Sequence, residues 1–163
     1  MRDVLFKSEE YVFSYRVAGL IVRDGKVLLQ KPTNDDGYAV PGGHPHLGET
    51  AAEALEREFL EETGLIVCAG RLIATGEVFF PWVDTPCHQI GMYFAAEIVG
   101  GRERPSEGSF RGMDELGGER VDLDFLWVPL TELDAIKLYP PQVRDVLLSP
   151  GVGPFHFIYR ETE

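Results

Sequence analysis

Apolar residues form β-type runs along most of the chain and switch to helical spacing between residues 51 and 63. Residues 16–22 and 27–31 are rich in Val, Leu and Ile. The Asp24-Gly25 pair between them, flanked by Arg23 and Lys26, is the sequence of a two-residue hairpin turn, so adjacent antiparallel strands are expected. After a polar turn at 33–37, the short run 38–40 leads into Pro41-Gly42-Gly43, where glycines allow a sharp turn and bring backbone carbonyls close to a ligand. Residues 65–80 and 88–99 read as two long strands joined by the connection 81–87, and 125–128 as a short one. Residues 131–135 and 140–148 look helical, the second opening on proline and stopped by Ser149-Pro150-Gly151. Mixed strands and helices of this kind predict an α+β or three-layer domain, a single one spanning 1–163.

The helical segment has its own punctuation. Thr50 followed by Glu53 forms a capping box, residues 51–63 contain neither Gly nor Pro, and Gly64 stands where a left-handed C-terminal cap is usual. At about 100° per residue, Ala52, Leu55 and Phe59 share one stripe while Glu58, Glu61 and Glu62 fall in an adjacent sector roughly 100° wide. One face packs and the other gathers charge, with Glu56 on the far side. Carboxylates at this spacing repel one another, and a divalent cation would compensate. Hard oxygen ligands suit magnesium, calcium or manganese, and no local Cys cluster suggests zinc. Arg57 lies four residues from Glu53 and four from Glu61, within reach of a ligand carboxylate. The plainer alternative for three glutamates on a helix is a solvated acidic face.

Composition narrows the partners. A formal net charge of −12 opposes binding to large nucleic acids, whose affinity comes largely from Lys and Arg. A large share of the imbalance sits in residues 43–65, which hold six glutamates and one arginine. A small anionic substrate is expected to bind through metal bridges rather than a basic patch. No apolar run approaches the roughly 18 residues that span a bilayer, and the N-terminal residues lack a basic and apolar signal pattern. A soluble, cytoplasmic protein is expected, with no membrane partner. Cys68 and Cys87 have no CxxC spacing and are expected to be reduced thiols. Residues 100–120 contain six glycines, four arginines and five acidic residues with few large apolar groups, which predicts a long mobile loop, either a lid or a plain connection.

The segment 43–65 resembles the Nudix box, G-x5-E-x7-R-E-U-x-E-E-x-G-U with U apolar. Gly43, Glu49, Arg57, Glu58, Phe59, Glu61, Glu62, Gly64 and Leu65 fill every specified position. The resemblance extends more weakly to YAVPGG, where Tyr38 stands in for a common Trp, and to the late WVPLTEL. It implies an α/β/α sandwich with a mixed β-sheet, and hydrolysis of a nucleoside diphosphate linked to another group by water attack on phosphorus, with Mg2+ or Mn2+ as cofactor. By the family pattern Glu58, Glu61 and Glu62 are metal ligands, the backbone around Gly42 and Gly43 adds a carbonyl ligand, and Arg57 acts in support with Glu49. Glu61 and Arg57 are the catalytic candidates within the box. A general base can also come from a later loop, where Glu115, Glu119 and Asp122 are candidates and Glu119 is preferred. His44, His46 and His88 define no site.

Base recognition calls for aromatic faces, for which Tyr38, Phe80 and Trp82 are the candidates, with Phe79 beside them. Pro81, sixteen residues beyond Leu65, resembles the downstream proline of the family's ADP-ribose hydrolases. ADP-ribose is therefore one expected substrate, beside oxidised nucleoside triphosphates and dinucleoside polyphosphates. An isopentenyl diphosphate isomerase is a second enzymatic reading, disfavoured by the intact glutamate set. A non-catalytic nucleotide sensor is a third. A homodimer is left open.

Overall fold

The computed structural model describes residues 2–116, 119–149, 151 and 153–161. The glycine pair 117–118 of the expected loop, Pro150 of the expected helix stop, and both ends of the expected 1–163 domain lie outside them. In chain order the elements are β1 (Leu5–Lys7), β2 (Val12–Leu20), β3 (Val22–Arg23), β4 (Lys26–Pro32), β5 (Gly37–Tyr38), β6 (Gly42–Gly43), α1 (Ala51–Thr63), β7 (Leu65–Trp82), β8 (Thr85–Gly101), β9 (Ser109–Leu116) and β10 (Glu119–Pro129). A 3-10 turn at Leu130–Ala135, β11 (Lys137–Leu138), α2 (Val143–Leu148) and β12 (Phe155–Arg160) complete them.

The main sheet is mixed, in the order β1-β2-β8-β7-β12, with β6 pairing onto β2. β2 runs parallel to β8 and β12 parallel to β7, while β7 and β8 form a long antiparallel hairpin. A second, antiparallel sheet is ordered β3-β4-β10-β9. Burial in β4 explains how the two sheets sit between helices: Val27 and Leu29 join a core that includes Val143, Val146 and Leu147 of α2, whereas Leu28 joins Leu55 and Phe59 of α1. A strand covered on both faces needs apolar residues without alternation, and VLL supplies them. This is the α/β/α arrangement expected from the sequence.

Several expectations change, among them the helix expected at 140–148, which begins only at Val143. The Asp24-Gly25 hairpin forms, with Val22 opposite Val27 and Arg23 opposite Lys26. The strand before it, however, breaks near Ile21, so β2 pairs with β8 rather than with β4. Residues 17–22 carry no polar side chain because they serve two sheets in succession. The connection 81–87 shrinks to Val83-Asp84, since Trp82 already pairs with Thr85.

The expected loop at 100–120 is largely strand. β8 continues to Gly101, and β9 pairs with β10 from Ser109–Leu126 to Leu116–Glu119. Composition misled because one face of this hairpin carries the polar groups: Arg111 pairs with Asp124 at 3.0 Å and Arg120 with Asp122 at 3.2 Å. The other face holds Phe110, stacked on Phe125 with ring centroids 5.3 Å apart. β12 was not anticipated, although Phe155, Phe157 and Tyr159 alternate with His156, Ile158 and Arg160.

Candidate active site

The capping box predicted at the start of α1 is present. Glu53 N donates to Thr50 Oγ1 at 3.2 Å and Thr50 N donates to Glu53 Oε2 at 2.8 Å. Gly64 closes the helix in the left-handed region at φ 75°. With both ends fixed, the rotation of α1 is set by Ala54, Leu55 and Phe59, all buried, and Glu58 and Glu62 of the acidic sector face inward beside them. Glu58 and Glu62 are only 8% and 6% exposed. Asp114 of β9 reaches the same point, so that ligand atoms of Glu58, Glu62 and Asp114 all lie within 4.8 Å of one another.

Burial pushes the carboxyl groups of Glu58 and Asp114 up from their ordinary range, and Glu62 well above it, with the charges of Asp114 and Glu58 adding to the effect on Glu62. Oε1 of Glu62 is buried and meets no donor among the described residues. Three crowded carboxylates and an orphaned buried oxygen form a hard, anionic donor set, and a divalent cation fits it. Thiolate and imidazole ligands are absent from this cluster.

Two glycines make the convergence possible. A Cβ on Gly43 would stand 2.5 Å from Glu58 Oε2, and one on Gly112 would stand 2.5 Å from the backbone oxygen of Glu62. Gly43 thus lets the loop before α1 lie against Glu58, and Gly112 lets β9 close on the helix so that Asp114, two residues later on the same face, joins the cluster. Gly42 sits beside Gly43 in β6, opposite Ala18.

Arg57 organises the loop and the helix together. It grips Glu49 with both arms of its guanidinium, Nε to Oε1 at 2.7 Å and Nη2 to Oε2 at 2.9 Å. Nη1 donates to Glu58 at 2.9 Å and to Glu61 at 3.1 Å, and Nη2 also donates to the backbone oxygen of His44 at 3.1 Å. These bonds hold the Glu49 carboxyl down to about 2, mainly through Arg57, and raise the already high pKa of Arg57.

The remaining sequence candidates separate. Glu61 stands outside the three-carboxylate group, its side chain 58% exposed, tied back by Arg57. Glu119 shares a face of the β9–β10 hairpin with Asp114 but lies at its exposed tip, opposite Leu116. Glu115 and Asp122 occupy the opposite face by strand alternation. Asp114 was the residue missed; its signal was the alternation Phe110, Gly112, Asp114 hidden in a Gly-rich run.

Beside the carboxylates lies a cleft of about 410 Å³ that includes Gly42, Gly43 and Asp114 in its wall. Phe80 and Trp82 line it from β7, with Tyr139 and Tyr159 contributing further aromatic surface. Tyr38 does not line it: its side chain packs on the core shared with α2, and its small neighbours Gly37 and Ala39 face the cleft instead. Phe79 points to the other side of β7, under Arg160 at 4.1 Å and against His88. His46 contacts Asp3 at 3.3 Å, and His44 lines the cleft, its imidazole pushed down to about 4 chiefly by burial. Cys87 is buried and Cys68 exposed, both unpaired.

A carboxylate cluster held on a capped helix at the edge of an aromatic cleft suits a divalent cation beside an anionic, ring-bearing ligand. A NUDIX domain model matches residues 14–148, and the chain belongs to the Nudix family. It is a Nudix hydrolase acting on phosphoanhydride bonds, and members of the family generally need a divalent metal. An ADP-ribose pyrophosphatase of Methanocaldococcus jannaschii is 40% identical over 131 residues, 78% of this chain and 72% of its own length. A MutT-like protein of Streptomyces ambofaciens is 32% identical over 97 residues, 59% of each chain. Among solved structures, a MutT protein from Bacillus halodurans superimposes with a TM-score of 0.58 at 18% identity, covering 90% of both chains, which shows the shared fold.

Proposed function

We infer that the protein hydrolyses nucleoside diphosphates linked to a second group, with ADP-ribose the foremost substrate, and that it uses magnesium or manganese. The observation that carries this reading is the convergence of Glu58, Glu62 and Asp114 next to the aromatic cleft. The M. jannaschii pyrophosphatase supports ADP-ribose in particular. All-oxygen ligation favours these hard cations over softer metals.

Glu58, Glu62 and Asp114 would hold the cation, with the backbone of Gly43 alongside. When bound, it would supply charge neutralisation for the diphosphate and a lowered pKa for water. Arg57 holds Glu58 in place and keeps Glu61 at the solvent side of the cluster. Glu61 is the proton acceptor we favour, because its half-exposed carboxylate can take a proton from water and release it to solvent. Glu119 is the second choice, at the exposed hairpin tip. Phe80 and Trp82 are the aromatic groups of the cleft on which the base would stack, worth about 1–3 kcal/mol per base.

The experiment is a substrate panel with magnesium: ADP-ribose, dinucleoside polyphosphates, oxidised triphosphates and a phosphomonoester, assayed in water enriched in heavy oxygen. The expected result is cleavage only where a phosphoanhydride is present, label on phosphorus, and the highest kcat/KM with ADP-ribose. Tight nucleotide binding without turnover of any of them would replace the enzyme by a sensor.

A further inference from the structure

Ser14 of β2 is fully buried and stands opposite Gln89 of β8 in the parallel register. Its hydroxyl has one proton and two polar neighbours. Oγ donates to Gln89 Oε1 at 3.1 Å, so His44 Nε2, 2.9 Å away, serves as the donor to Oγ. The chain of bonds fixes the carboxamide of Gln89. Its oxygen is engaged by Ser14, and its amide nitrogen belongs to a side chain that lines the cleft. His44 and Gln89 are themselves 8% exposed each, so the arrangement is built into the wall and is not a surface contact.

The charge of the wall indicates what this amide meets. Among the described lining residues, Arg16 is the cation, while Asp114 and Glu161 are carboxylates. Arg16 already donates from Nη2 to the backbone oxygen of Val40 at 2.7 Å. The guanidinium keeps its charge while bonded to that neutral carbonyl, and Lys7 Nζ stands 5.0 Å from the ring centre of Trp82, so charged oxygens find cations in the cleft and do not need the amide of Gln89. A neutral amide donor in the wall of a cleft that Phe80 and Trp82 also line suits a hydroxyl or ring oxygen of an uncharged sugar.

We propose that Gln89 determines specificity by donating from its amide nitrogen to an oxygen of the sugar carried on the diphosphate, and that Ser14, aligned by His44, positions it. The proposal rests on the reading of the substrate as a nucleoside diphosphate joined to a second group. Neither residue is assigned a part in the chemical step.

The test compares wild type, Ser14→Ala, Gln89→Leu and the double variant, on ADP-ribose and on the methyl ester of ADP, which has the phosphoanhydride but no second sugar. Each single change is expected to raise KM for ADP-ribose by about 5- to 30-fold with kcat within about twofold, the scale of one lost hydrogen bond. KM for the methyl ester stays unchanged. The double variant is no worse than Gln89→Leu, because Ser14 acts through Gln89. Equal losses on both substrates, an additive double variant, or an unmoved KM for ADP-ribose overturns the proposal. Should Ser14→Ala fail to fold, the selective loss in Gln89→Leu decides the matter alone. A wild type that hydrolyses neither compound overturns the hydrolase reading underneath, whereas wild-type turnover of ADP-ribose with unresponsive variants overturns only the role of Gln89.

Discussion

Replacing Gly43 by alanine should damage the chemistry while leaving the fold intact. The new Cβ would stand 2.5 Å from Oε2 and 2.7 Å from Oε1 of Glu58, whereas non-bonded heavy atoms settle at about 3.5 Å. One of the two groups must therefore retreat by about 1 Å. The backbone at Gly43 is held by its pairing with Val17 in β2, so the tip of the Glu58 side chain is the part that yields. Stability should change little, since Gly→Ala at a compatible backbone is worth only about 0.4–1 kcal/mol, in the stabilising direction. A displacement of this size in a reacting assembly costs on the order of a hundredfold in rate, or about 2.7 kcal/mol of barrier. The measurements are the melting temperature, the magnesium dependence of the rate, and kcat at saturating metal with the best substrate of the panel. The expected outcome is an unchanged fold, weakened metal activation and a rate near one hundredth of wild type. A kcat within threefold of wild type with the same magnesium dependence would refute the placement of Glu58 as a ligand.

Two further changes act on the same cluster by different routes. Glu62→Gln should lower turnover at least about a hundredfold yet stabilise the metal-free protein at pH 8. The folded state holds the Glu62 carboxyl above its ordinary range, through burial first and then Asp114 and Glu58. It therefore binds that proton more tightly than the unfolded chain, and wild-type stability falls as pH rises beyond the ordinary carboxylate value near 4.3. Thermal melts in EDTA at pH 5 and pH 8 should show the wild type losing more than the variant, and parallel losses would sink the argument. Gly112→Ala, unlike Gly43→Ala, meets the backbone oxygen of Glu62 and the ring of Phe125. It should cost about 1–3 kcal/mol of stability together with activity, and denaturant unfolding that leaves stability unchanged would show that β9 can move freely away from α1.

What the sequence disclosed was local. The caps, length and packing face of α1 depend on residues within one helical turn of one another, so Thr50, Glu53, Phe59 and Gly64 were sufficient to place it. Reach was harder to judge. Glu56, set on the far side from Glu58 and Glu62, accepts a hydrogen bond from Ala69 N at 3.1 Å, beside a register shift in β7. It fastens helix to sheet, a task invisible in helical periodicity because its partner lies thirteen residues on.

Asp114 shows why the carboxylate cluster was only partly legible. Three glutamates at i, i+3 and i+4 invite the assumption that one helix supplies the whole ligand set, yet Arg57 draws Glu61 toward solvent and leaves room beside Glu58 and Glu62. A carboxylate from elsewhere can enter that room only if its strand approaches the helix closely, and Gly112 is what permits the approach. The glycines that made 100–120 look too poor in apolar groups to fold therefore include one whose missing side chain completes the site. Composition averages over such a residue. The period of two across Phe110, Gly112 and Asp114, set against Leu123 and Phe125 of the paired strand, is the pattern that recovers it.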